Sequence, residues 1–213
     1  MRVVCVCVSL AFIAGGVSAA TIQDNVFNNA DWSLHSVQFG PNGGGGVAYQ
    51  SAGLVETGRY VTNYCGNDYS GAWNYSIFDA QSYEPATAGP LSALSFSIDA
   101  RYDDGLSAVS FALEQGGFIW RIGYFLNTAA WQTYTLAPAA ADFTRMDGDS
   151  ALPDFSEAGA PIHFGFGTAN SSTSYGYARS GIYDNFVASF VPGPGAGAML
   201  AGLAVTGLRR RRR

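Results

Sequence analysis

The chain has 213 residues and a formal net charge of −5, from 11 basic and 16 acidic side chains. It contains no lysine, and six of its arginines lie at the ends: Arg2 and the run Arg209, Arg210, Arg211, Arg212 and Arg213. Residues 21–191 hold five arginines against all 16 acidic residues, a balance of −11. Five scattered cations lay down no basic stripe for a phosphate backbone, so nucleic acid is excluded as a partner. Without lysine there is no Schiff-base or phosphate-loop chemistry. The charge of the body points to cations, sugars and its own kind as partners rather than acidic polymers.

Hydrophobic residues make up 48% of the chain and aromatics 14%, with 27 glycines and only 13% charged residues. That is a folded composition, and its Tyr, Phe, Val and Gly content favours strands joined by tight turns. Cys65 is the one cysteine outside the first seven residues, so the body forms no internal disulfide. His35 and His163 are its only histidines, too few to build a zinc site around one thiol. A lone half-buried thiol is the expected state of Cys65 rather than a Cys–His dyad.

In chain order, residues 1–20 read as a secretory signal peptide. Arg2 precedes an uncharged run, and small residues end it with cleavage after Ala19 or Ala20. Strands follow. Val47–Ser51, Gly58–Tyr64 and Trp73–Phe78 come first. Leu94, Phe96 and Ile98 then alternate with polar neighbours, as do Val109, Phe111 and Leu113. Gln115-Gly116-Gly117 turns the chain into Phe118–Leu126, the clearest hairpin. Ala137–Phe143 is the best helical candidate and is short. Trp131–Leu136, Ile162–Thr168 and Ile182–Phe190 complete a set of eight to ten strands. The expected fold is all-β, an antiparallel two-sheet sandwich of jelly-roll type over residues 21–190.

Three constellations carry candidate chemistry. Asp147, Asp149, Asp154 and Glu157 form an oxygen-rich stretch of the kind that suits Ca²⁺. The EF-hand pattern fails there, with Leu152 and Ala158 at the positions for Gly and Glu, and a solvated acidic loop is the competing reading. A calcium site shared by the two ends of the body, Asp24 or Asp31 with Asp184, is a further option. Aromatic residues crowd positions 60–83, and Tyr175 and Tyr177 flank a glycine near Asn170 and Ser171. Trp73, Tyr75, Tyr175 and Tyr177 are the candidate sugar platform, because pyranose C–H faces stack on rings while hydroxyls need nearby donors and acceptors. The glutamates form no paired pattern for glycoside hydrolysis, and no nucleophile elbow is present, so the expected protein is not an enzyme. A jelly-roll glycoside hydrolase is the remaining catalytic alternative.

At the C-terminus, Val191-Pro192-Gly193-Pro194-Gly195 reads as a linker, followed by 13 uncharged residues from Ala196 to Leu208 and then five arginines. A helix of that length spans roughly 20 Å, short of the ~30 Å hydrocarbon core. The arginines would hold its end in the cytoplasm. This tail resembles the PEP-CTERM sorting signal of Gram-negative bacteria, with Gly193 where that family has glutamate. The resemblance implies a sorting protease of exosortase type, transient anchoring in the inner membrane, and a mature protein at the cell surface or in an exopolysaccharide matrix. The stretch Ser180–Phe190, with Asp184-Asn185-Phe186, resembles the closing strand of lectin-like, carbohydrate-binding jelly rolls. That resemblance implies a sugar-binding role and an aspartate that helps hold structural calcium.

Overall fold

A computed structural model describes residues 19–50, 58–104, 107–172 and 175–194. The signal-peptide and sorting-helix assignments lie outside these residues, apart from Ala19, Ala20 and Val191 to Pro194. The described chain forms two antiparallel sheets of six strands each.

One sheet runs β3 (Gly44–Gln50), β4 (Arg59–Cys65), β12 (Tyr177–Pro192), β6 (Leu91–Asp104) and β9 (Gln132–Leu136), with β1 (Ala20–Asp24) also paired to β12. The other runs β10 (Thr144–Arg145), β8 (Phe118–Leu126), β7 (Ala108–Gln115), β11 (Ile162–Ser171), β5 (Gly71–Phe78) and β2 (Trp32–Phe39). The sandwich is therefore all-β and jelly-roll-like, as the alternation in the sequence predicts. There are twelve strands among the described residues, where eight to ten were expected. The segment Ala137–Phe143 holds a single 3₁₀ turn, Ala140–Asp142, instead of an α-helix.

The core lies between the sheets and is largely aromatic. Alternate residues of β11 (Ile162, Phe164, Phe166) and β7 (Val109, Phe111, Leu113) face Phe96, Tyr183, Phe186 and Phe190 of the opposite sheet. Phe96 stacks on Phe111 at 5.0 Å, and Phe166 packs on Tyr183 at 4.8 Å. Close packing of rings at these separations contributes about 0.5–1.5 kcal/mol per pair beyond area burial.

Towards the Tyr177 end of β12 the interior turns polar. Asn63 Oδ1 accepts from Asn74 Nδ2 at 2.7 Å and from the Thr168 hydroxyl at 2.6 Å, and Ser36 donates to Asn74 Oδ1 at 2.6 Å. These bonds tie β2, β4, β5 and β11 together and oppose slippage between the sheets. Arg59 is also buried, donating to Ser76 at 2.9 Å and lying 5.4 Å from the Trp32 ring centroid. Burial pushes its guanidinium down to about 10, against the pull of Asp79 and Asp24.

β12 is the longest strand and departs from a straight ladder at the Asp184-Asn185-Phe186 run. Asn185 adopts φ 50°, the register slips between Asp184 and Val187, and Asn185 Nδ2 donates to Asp99 at 2.8 Å. The bulge turns Phe186 into the core. β12 also continues through Val191 and Pro192, two residues into the stretch read above as linker. Ser92 donates to the Val191 carbonyl at 2.7 Å, and the Gly193 amide donates to the Pro90 carbonyl at 2.5 Å. Pro192 is tolerated because it closes the ladder opposite Leu91, where a missing N–H removes no interior bond.

Candidate functional site

The outward face of the second sheet carries Trp73, Tyr75 and Tyr124, aromatic residues that stay out of the main core between the sheets. The central strand β11 presents Gly165, Gly167 and Ala169 there, and β7 presents Ala108, Ser110 and Ala112. These small residues form a shallow gutter. A Cβ on Gly167 would lie 2.7 Å from Cε1 of Tyr75, so the Tyr75 ring rests directly over β11. Trp73 stacks almost parallel to Tyr75, at 13° and 6.2 Å, and Tyr124 meets Trp73 edge-on at 6.0 Å.

The register places Val37, Trp73, Ala169, Ala108 and Leu126 in one transverse row. Beside this row is a groove of about 330 Å³, walled by Phe39, Trp73, Tyr124, Leu126 and Tyr177. Ser107, Asn170 and Ser171 supply its polar groups. The Tyr177 hydroxyl donates to the Ser171 carbonyl at 2.5 Å, and Asn170 Nδ2 donates to the Asn63 carbonyl at 3.3 Å. The rim is therefore anchored to the buried polar network. Tyr124 is 61% exposed and Leu126 58%, values that leave their apolar surfaces open to a ligand. Among the described residues that line the groove there is no carboxylate. Glycoside hydrolysis needs two facing carboxyl groups, so this lining does not support it.

The sequence-predicted aromatics fare differently from one another. Trp73 and Tyr177, far apart in the chain, come together to line the groove. Tyr75 is fully buried beside Trp73, and burial raises the pKa of its phenol, which has no hydrogen-bond partner. Tyr75 thus supports the platform instead of contacting a ligand. Tyr175 is 84% exposed and does not line the groove.

Phe39 and Tyr124 escaped the sequence reading. Strict alternation along β8 puts Tyr124 on the same face as Trp120, which is core. A bulge at Gly123, with φ 75°, inserts one residue and sends Tyr124 and Leu126 outward while Phe125 packs inward. The glycine inside a strand pattern was the available signal.

Asp147 and Asp149 follow β10 of the second sheet, apart from Asp184 on β12 of the first, whereas Asp24 pairs opposite Phe186, two residues from Asp184. Asp147 accepts from Arg145 at 2.6 Å and from the Asp149 amide at 3.1 Å, and Asp149 is 3.5 Å from Arg145. That stretch is a loop closed around an arginine which itself lies over Phe118 at 3.5 Å. Asp184 belongs to the other sheet, where it accepts from the Asn185 amide at 2.7 Å. Asp24 accepts from the Val26 and Phe27 amides and from Trp32 Nε1. Among the described residues, no three His, Cys, Asp or Glu side chains gather in a metal-binding group.

No protein-family model matches the chain, and no curated protein does. Solved structures similar to it include a family 11 carbohydrate-binding module from Clostridium thermocellum in complex with a β-1,3-1,4-mixed-linked tetrasaccharide. It has 11% identity and a TM-score of 0.49, covering 83% of this chain and 97% of that one. The C-terminal family 22 carbohydrate-binding module of C. thermocellum Xyn10B has 13% identity and a TM-score of 0.42, covering 78% and 92%. The xylan-binding domain CBM22-1 of Paenibacillus barcinonensis Xyn10C has 11% identity and a TM-score of 0.42, covering 81% and 94%. The jelly-roll-like assignment rests on the strand order and register of the chain itself.

Proposed function

We propose that the body is a non-catalytic carbohydrate-binding module whose sugar sits in the groove of the second sheet. The observation that carries this reading is the convergence of Phe39, Trp73, Tyr124 and Tyr177 around Ser107, Asn170 and Ser171. Rings offer stacking surface for pyranose C–H groups, and the hydroxyls and amide offer partners for sugar hydroxyls. The absence of carboxylates from the described lining favours binding over hydrolysis.

The test is affinity electrophoresis of the full chain, in a polyoxyethylene detergent, through gels containing neutral and charged polysaccharides. Retardation by at least one polysaccharide, lost in Trp73→Ala and Tyr177→Ala but retained in Tyr64→Ala, is the expected result. Tyr64 is the control because it is exposed on the other sheet. Unretarded migration through every gel would refute the reading.

We further propose that the module is exported and held at the envelope by its sorting tail, with calcium as an optional structural ion. What supports the topology is the pairing of Ala20 with Phe190. The two ends of the body leave side by side, so two flanking segments could enter the same membrane. Tyr177 of the groove lies at the opposite end of β12, roughly 40 Å away along the strand. The groove would then face away from the membrane. Intact-mass measurement of the exported protein tests the sorting: loss of the arginine run is expected, and its retention would contradict the tail's role.

A further inference from the structure

All five arginines of the body rest against aromatic rings, but they differ in what else they meet. Arg59 is sealed in the interior. Arg101 pairs with Asp103, and Arg145 pairs with Asp147 and Asp149. Arg121 stands apart. Its guanidinium lies 4.2 Å from the centroid of Trp73, on the outward face of the second sheet, and no carboxylate among the described residues is within ion-pair distance. Arg179 lies 4.4 Å from the ring of Tyr177, another residue that lines the groove. Arg121 thus rests on one aromatic wall of a groove whose described lining contains no acidic side chain.

We propose that the groove selects carboxylated polysaccharides, with Arg121 as the carboxylate-binding residue; this rests on the carbohydrate-binding reading of the same groove. A guanidinium stacked on an indole keeps its in-plane N–H groups free for two parallel hydrogen bonds to a carboxylate. The stack also fixes the arginine before binding, so less side-chain freedom is lost. Because Arg121 covers one face of Trp73, the sugar ring is left with Tyr124, Tyr177 and the groove edge as its stacking surfaces. The body's charge of −11 argued against acidic polymers, but that repulsion is screened beyond about 8–10 Å at ordinary ionic strength. The contact itself is decided by the local charge at the groove.

The test compares polygalacturonate with its methyl ester, which keeps the sugar and removes the charge, and adds a neutral mixed-linkage β-glucan. The full chain is run by affinity electrophoresis with a chelator present, so that divalent cations cannot bridge two acidic partners. Tighter retardation by polygalacturonate than by the ester is expected. Arg121→Gln and Arg121→Met should each weaken the acidic polymer by about tenfold and leave the ester at least as tightly bound, because removing the guanidinium uncovers the Trp73 face. The methionine variant preserves an apolar stem on Trp73, and near-UV circular dichroism verifies that both variants are folded. Equal binding to both polymers, or acidic binding that survives both variants, would overturn the carboxylate assignment and leave the carbohydrate-binding reading standing. Failure on all three polysaccharides would overturn both.

Discussion

Gly167→Ala tests whether the aromatic platform is seated as described. The added Cβ would lie 2.6 Å from Ser110 Oγ and 2.7 and 2.8 Å from two carbons of the Tyr75 ring. Separations below 3 Å force movement. Tyr75 is fully buried and stacked against Trp73, so lifting its ring disturbs the groove wall as well as the sheet face. Overpacking of this kind costs about 1–3 kcal/mol. For a domain of this size, that lowers the melting temperature by about 2–12 °C. Gly45→Ala is the matched control, because nothing lies within 4 Å of its Cβ position and its strand stays half-buried. Relief of unfolded-state entropy there should leave stability unchanged or raise it by up to about 1 kcal/mol. Urea unfolding of both variants gives the free energies, and polysaccharide retardation gives the effect on the groove. If Gly167→Ala is as stable as the parent and binds as well, Tyr75 does not rest on β11 and the platform argument fails.

Asn63→Ala removes the acceptor of the buried Thr168 hydroxyl, while Asn74 Nδ2 keeps its bond to the Gly45 carbonyl; a loss of about 1–3 kcal/mol in urea unfolding is expected. The Asp147 carboxyl is held below its ordinary value of 3.8, first by the Asp149 amide and further by Arg145. Its contribution to stability is therefore present above the unfolded carboxylate pKa and lost as pH falls through the lower folded value. Denaturation midpoints between pH 7 and pH 2 should fall less steeply in Asp147→Asn than in the parent. Phe111→Ala, in the stacked pair with Phe96, should cost about 3–5 kcal/mol, read from the same urea curves.

The fold was legible where alternation is clean. Val109, Phe111 and Leu113 face the core as their period predicts, and the turn at Gly116-Gly117 joins β7 to β8. It was less legible wherever the backbone breaks period. The bulge at Gly123 reverses the face on which Tyr124 lies, and the bulge at Asn185 lets β12 run far past an ordinary strand length. β2 was missed because its polar residues Ser33, His35 and Ser36 do not alternate cleanly with Trp32, Leu34 and Val37 by burial, and Ser36, though exposed, is held by its bond to the buried Asn74, a contact that composition does not reveal. For the groove, aromatic density singled out Trp73 and Tyr177, and both line it. It could not separate Tyr75, which the gutter of Gly167 and Ser110 lets lie down and disappear. Nor could it bring Arg121 to Trp73, since that contact depends on pairing across four strands of the sheet.

The central claim is that a sugar occupies the groove walled by Trp73, Tyr124 and Tyr177. Backbone amide chemical shifts of the isotopically labelled chain, titrated with an oligosaccharide of the best-retarding polysaccharide, test it most directly. The account predicts saturable shifts confined to Phe39, Trp73, Leu126 and the Ala169–Ser171 end of β11. Shifts centred on the stacked tyrosines Tyr49 and Tyr60 of the opposite sheet, or none at saturating ligand, would contradict it.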